Sequence, residues 1–120
     1  MTTTSLTLSE IYNLAHKTML ANGCDEANAE ALADIIYRAE RDGSHSHGLF
    51  RIPGYVKALR SGKVDGKAKP KITKKSSVII QVDGNSSFAP LAQAVGLPEL
   101  TKLALETGLA ALSLTNVHHF

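Results

Sequence analysis

Cysteine is nearly absent from this chain, tryptophan is wholly absent, and only three Phe and three Tyr occur in 120 residues. The lone Cys24 cannot close an intrachain disulfide, which fits a reducing compartment and makes the cytoplasm the expected location. Cys24 precedes a helix, where a dipole can activate a thiol, but a small buried residue at that point is the plainer reading. No apolar stretch approaches the roughly 20 residues needed to cross a bilayer. The first ten residues lack the basic region and apolar core of a secretory signal. Neither sign of charge is in excess, with 13 Lys and Arg against 11 Asp and Glu, so nothing calls for a polyanionic partner. Two motifs are also missing. Without Gly-x-Gly-x-x-Gly the ordinary dinucleotide fingerprint is excluded, and without Gly-x-Ser-x-Gly a serine hydrolase elbow has no support.

What remains is the composition of one globular domain, long enough to bury roughly two-thirds of its unfolded surface. Thr7 and Glu10 have the spacing of a capping box, which predicts a helix from about Leu8 to Ala21 with Leu8, Ile11, Tyr12, Ala15 and Met19 as its apolar stripe. Asn22 and Gly23 end it. Asp25 caps a second helix from about Glu26 to Arg41, with Leu32, Ile35, Ile36 and Ala39 facing inward, and Gly43 stops it. Pro53 is tolerated only in a first helical turn, so a third helix begins near Phe50 to Pro53 and runs to about Ser61. Eight of the 13 basic residues fall between Lys57 and Lys75, broken by Gly62, Gly66 and Pro70 and lacking aromatics; this reads as a solvated connector and not a nucleic-acid surface. Ser77 to Val82 reads as a strand, with Asp83-Gly84 as its turn. Ala89 to Thr107 reads as helical, split at Gly96 and Pro98 and stopped by Gly108, and Leu109 to Thr115 as a buried strand. The fold class expected is mixed α/β.

The chemistry is concentrated in residues 42 to 55, where Ser46, His47, Arg51 and Tyr55 supply a hydroxyl, an imidazole, a guanidinium and a phenol. A Ser beside a His offers a proton relay with a pKa near working pH, and an Arg fork pairs with a carboxylate in bidentate fashion. Ser46 and His47 fall on the loop leading to the third helix and Arg51 in its first turn, where orphan N–H groups favour an anion. Residue chemistry alone leaves this acid-binding, proton-delivering site level with a histidine-rich capping loop of no catalytic role. His45, His47, His118 and His119 invite a metal reading, but the Cys and His spacings that discriminate zinc sites are missing, and no metal is expected.

Several runs carry a resemblance. Residues 38 to 55, with Asp42-Gly43-Ser44-His45-Ser46-His47-Gly48 and Arg51, together with Gly62 to Gly66, Val82-Asp83-Gly84 and Asn116 to Phe120, are similar to the malate/lactate dehydrogenase family whose fold is not of the Rossmann type. Within it they look most like the branch that reduces Δ1-piperideine-2-carboxylate and Δ1-pyrroline-2-carboxylate. The resemblance implies NADPH as cofactor, with NADH as the variant, and hydride transfer to a cyclic imino acid, with 2-oxoacid or 2-hydroxyacid dehydrogenation (malate, lactate, ureidoglycolate) as the alternative. It implies that His47 is the proton donor, Ser46 its relay, Arg51 the substrate carboxylate's partner, and His119 and Phe120 the opening of a cofactor-contacting segment. It implies a helical region over residues 1–75, the start of a sheet-containing cofactor domain over 76–120, a homodimer when full length, and no nucleic-acid or membrane partner. Family members are much longer, so the expectation is an N-terminal fragment, inactive by itself; a non-catalytic helical module is the third reading.

Overall fold

The computed structural model describes residues 2–118. Helices α1 (Leu8–Ala21) and α2 (Glu26–Arg41) form an antiparallel hairpin. The capping box at α1 is complete: Thr7 Oγ1 accepts the Glu10 N–H at 3.1 Å and a Glu10 carboxylate oxygen accepts the Thr7 N–H at 2.7 Å, a device worth about 1 kcal/mol. Asp25 caps α2 by accepting the Asn28 N–H at 3.0 Å. Ile11, Ala15 and Met19 of the first helix meet Leu32, Ala33 and Ile36 of the second in the core, as their spacing requires. Leu8, at the end of the expected stripe, is 36% exposed instead. Cys24 is buried where the hairpin turns, and desolvation, aided by the nearby Asp25 charge, pushes its thiol up to about 11. It is a packing residue with almost no thiolate at neutral pH.

Two single-turn 3-10 helices, His45–His47 and Leu49–Arg51, lead into α3 (Ile52–Arg60), with Pro53 in the first helical turn. The basic stretch that follows exposes all of its Lys and Arg side chains, yet it is docked: Val64, Gly66 and Ala68 are buried. Gly66 lies so close to the hairpin turn that an added Cβ would sit 2.6 Å from the Gly23 carbonyl oxygen. The end of the expected connector is also a strand, β1 (Lys71–Lys74), which pairs antiparallel with β2 (Ile79–Phe88) through Lys71↔Asp83 to Lys74↔Ile80. Exposed lysines hid it. β3 (Ala111–His118) pairs parallel to β2, giving the sheet order β1-β2-β3, and α4 (Ala89–Thr107) makes the crossover between them.

Three sequence expectations are corrected here. Asp83-Gly84 is not a turn, because β2 continues to Phe88 through a bulge in which Gly84, Asn85 and Ser86 lie opposite Asn116 alone. Asn85, Ser86 and Asn116 adopt φ of 51°, 68° and 52°, each costing on the order of 1–3 kcal/mol, and polar links fasten the bulge. Asp83 Oδ1 accepts the Asn85 N–H at 2.8 Å and Asn116 Nδ2 at 3.3 Å, and Ser86 Oγ donates to Asn116 Oδ1 at 3.3 Å. Second, α4 is continuous through Gly96 and Pro98. Gly96 is there for proximity: an added Cβ would lie 2.8 Å from Val82 Cγ2 and 3.0 Å from Leu112 Cδ1. Third, β3 mixes exposed and half-buried positions and is not the fully buried strand its apolar run suggests. Its Leu112 and Leu114 are half-buried, whereas Leu109 lies before the strand at 79% exposure.

Candidate active site

A continuous series of backbone hydrogen bonds carries the last turn of α2 into the two 3-10 turns: Ser44 N–H to Ala39 O at 2.8 Å, His47 N–H to Ser44 O at 2.8 Å, Gly48 N–H to His45 O at 3.2 Å and Arg51 N–H to Gly48 O at 3.0 Å. Ser46 and His47 therefore lie on a short helical turn rather than in an irregular loop. Ser46 Oγ is 3.0 Å from His47 Nδ1, which leaves Nε2 as the ring nitrogen that can meet a substrate. Arg51 Nε donates to the Ser46 carbonyl at 2.8 Å, so the guanidinium folds back over the Ser-His pair. Ser46, His47 and Arg51 are thus brought into one corner, where Ser46 and His47 are exposed and Arg51 is half-buried.

Two histidines that could have joined a metal cluster are otherwise engaged. His45 Nδ1 meets Glu40 Oε2 at 2.6 Å, and the His118 ring packs edge-on against Phe88 at 5.8 Å. Among the described residues no group of three or more His, Cys, Asp or Glu could hold a metal ion. His119 and Phe120, read as cofactor contacts, lie outside the described residues.

Tyr55 belongs to the core and not to the exposed corner. It is 2% exposed, its ring meets Phe88 edge to face at 5.3 Å, and burial pushes its phenol far up despite the opposing charge of Arg51. Phe88, fully buried, touches Tyr55 of α3 on one side and His118 of β3 on the other. The Phe88 ring thus links the end of β3 to α3, the helix that follows Arg51. Beyond this corner, a broad concavity of about 580 Å3 runs along α3, lined by Ile52, Pro53, Val56, Lys57, Arg60 and Ser61.

Two residues that sequence reasoning did not assign shape the corner. Glu40 contacts both 3-10 turns, and Gly48 is buried directly against it; a Cβ on Gly48 would overlap the Glu40 carboxylate. The one available signal was the glycine following His47.

The sequence profile of the malate/L-lactate dehydrogenase family matches residues 6–120. This chain belongs to that family. Among its relatives, the Δ1-pyrroline-2-carboxylate reductase of Ancylobacter novellus is 43% identical over 115 residues, covering 96% of this chain and 34% of the relative. The crystal structure of Δ1-piperideine-2-carboxylate reductase from Pseudomonas syringae pv. tomato superposes with a TM-score of 0.94 at 37% identity, over 98% of this chain and 36% of that one. The malate dehydrogenase of Entamoeba histolytica superposes at 0.89 with 26% identity, over 99% and 33%. The chain spans about a third of the length of each of these family members. The mixed α/β class expected from the sequence agrees with these neighbours, and so does the family. Among the described residues no helix is long and apolar enough to cross a membrane.

Proposed function

We propose that this chain carries the substrate-holding and proton-donating part of a nicotinamide-dependent reductase of cyclic imino acids. The observation that carries the reading is the corner in which Arg51 Nε is bonded to the Ser46 carbonyl and Ser46 Oγ to His47. A guanidinium so close to an imidazole supports a carboxylate-binding fork beside a proton donor, the pair that an α-imino acid requires. The names of the relatives, pyrroline and piperideine carboxylate reductases, support the same substrate class.

When bound, a reduced nicotinamide supplies a hydride to the imine carbon. Arg51 pairs with the substrate carboxylate and fixes the presented face. His47, held by Ser46 through Nδ1, delivers the proton from Nε2 to the imine nitrogen, so hydride and proton together give the saturated cyclic amino acid. The His118 ring on Phe88, whose own ring meets Tyr55 of α3, supports His119 and Phe120 as the start of the segment that would contact the nicotinamide. We assign NADPH ahead of NADH, a helical substrate region over residues 1–75, the beginning of the cofactor domain over 76–120, a homodimer for the full-length protein, and a cytoplasmic location.

The second reading, a 2-oxoacid reductase, is favoured by the Entamoeba histolytica malate dehydrogenase likeness and uses the same corner with a carbonyl oxygen as proton acceptor. Cofactor oxidation by the full-length protein, measured with Δ1-piperideine-2-carboxylate, Δ1-pyrroline-2-carboxylate and a set of 2-oxoacids, separates the two. Imine turnover should lead, and His47→Ala should lower kcat by about 10²- to 10⁴-fold. Turnover of oxoacids alone, or imine turnover indifferent to His47→Ala, refutes the proposal.

A further inference from the structure

The corner that holds Ser46 and His47 is fixed from beneath by a residue with no role in the reaction described above. Glu40 is in the last turn of α2, where its neighbours Arg41 and Asp42 turn outward and pair with each other, yet its own side chain is only 14% exposed. Oε2 accepts from His45 Nδ1 at 2.6 Å and Oε1 accepts the Leu49 N–H at 2.9 Å. One carboxylate therefore grips the residue before Ser46 and the second residue after His47. The missing side chain of Gly48 makes room for it, since a Cβ there would occupy the carboxylate's place.

The turns need such a grip. Each is three residues long and neither has a side-chain cap at its start. Isolated 3-10 turns of this length are weakly held, and an exposed segment with few contacts samples other conformations. The charge needed for a strong bond is present as well: burial alone would raise the Glu40 carboxyl, but the bonds from His45 and the Leu49 amide outweigh it and hold it below the ordinary value.

We propose that Glu40 is a positioning residue: by bonding His45 on one turn and the Leu49 amide on the next, it sets the placement of His47 relative to Arg51. His45 is then an anchor for the turn and not a second proton donor. This rests on the proposed reaction, but its local consequence can be read separately.

The test uses Glu40→Ala, Glu40→Gln and His45→Ala in the full-length protein. In Glu40→Ala both grips are lost, and kcat for the imine should fall by roughly 10²-fold, the cost of an ångström-scale misplacement. Glu40→Gln keeps an acceptor for the Leu49 amide and should fall between Glu40→Ala and wild type, and His45→Ala, losing one grip, should also fall short of the full loss. Hydrogen exchange at the Leu49 amide should accelerate in Glu40→Ala while the amides of α1 stay protected, a pattern that general destabilisation does not give. Wild-type activity with kcat, KM and pH profile unchanged in all three variants overturns the proposal. If Glu40→Ala does not fold, unchanged kinetics in both Glu40→Gln and His45→Ala overturn it equally. If the wild type reduces no imine, the proposed reaction fails and exchange decides: an unaccelerated Leu49 amide in Glu40→Ala, or in Glu40→Gln and His45→Ala where Glu40→Ala does not fold, refutes positioning.

Discussion

Gly96→Ala sets two effects of opposite sign against each other at one position. Gly96 is in the middle of α4, buried, and in an exposed helix interior an alanine would stabilise by about 0.8–1.0 kcal/mol relative to glycine. Here the added methyl would lie 2.8 Å from Val82 Cγ2 and 3.0 and 3.1 Å from the two terminal carbons of Leu112. Real carbon–carbon contacts are optimal at about 3.5–4.0 Å, so the helix and sheet must part or both side chains must change rotamer. Inserting a methyl into a packed interior typically costs about 1–3 kcal/mol, which exceeds the helical gain at the middle of that range. The net expectation is a destabilisation of about 1 kcal/mol. Equilibrium urea unfolding, with the m-value checked for constancy, measures it. A Gly96→Ala protein more stable than wild type would show that the helix–sheet separation is not what demands glycine there.

Three further expectations concern the corner and its support. Arg51→Lys should raise KM for the carboxylate substrate by about 10- to 100-fold, because an ammonium cannot reproduce the fork or donate to the Ser46 carbonyl in the same geometry; steady-state kinetics with the imine check it. Phe88→Ala should destabilise by about 3–5 kcal/mol in thermal or urea unfolding, since Phe88 is fully buried between Tyr55 and His118. Glu40 contributes to stability with a definite sign: its folded value is depressed, so the contribution is present above the unfolded carboxyl pKa of about 4.3 and is lost as pH falls through the lower folded value. Comparing wild type with Glu40→Gln by unfolding from pH 6 downward should show the stability gap narrowing on acidification, and a gap that widens contradicts the assignment.

What could be read from sequence was what is decided within a few residues. The Thr7 and Glu10 pair, the Asp25 cap and the Pro53 constraint place α1, α2 and the start of α3 because each acts over one helical turn. Ser46, His47 and Arg51 were legible as neighbours for the same reason. The misreadings arise where distant chain decides. Asp83-Gly84 has turn chemistry, but pairing with β3 on both sides of the bulge keeps β2 extended to Phe88. Gly96 and Pro98 look like breakers, yet packing against Val82 and Leu112 holds α4 together. β1 is written in lysines, and only its pairing with Lys71↔Asp83 and its companions makes it a strand. Glu40 is the clearest case, because between Arg38 and Arg41 it has the appearance of one more solvated helix charge. Its role exists only once the chain has folded back across it.

The contact between Glu40 and Gly48 also has a genetic consequence. The two positions share one volume, so what is tolerated at one depends on the occupant of the other. Gly48→Ala is sterically blocked while the glutamate is present, and shortening residue 40 opens the space that the methyl needs. A damaging allele at position 48 is therefore the natural starting point for second-site suppressors at position 40. Those suppressors should restore folding without restoring turnover, which separates the room the glycine provides from the bonds the carboxylate makes.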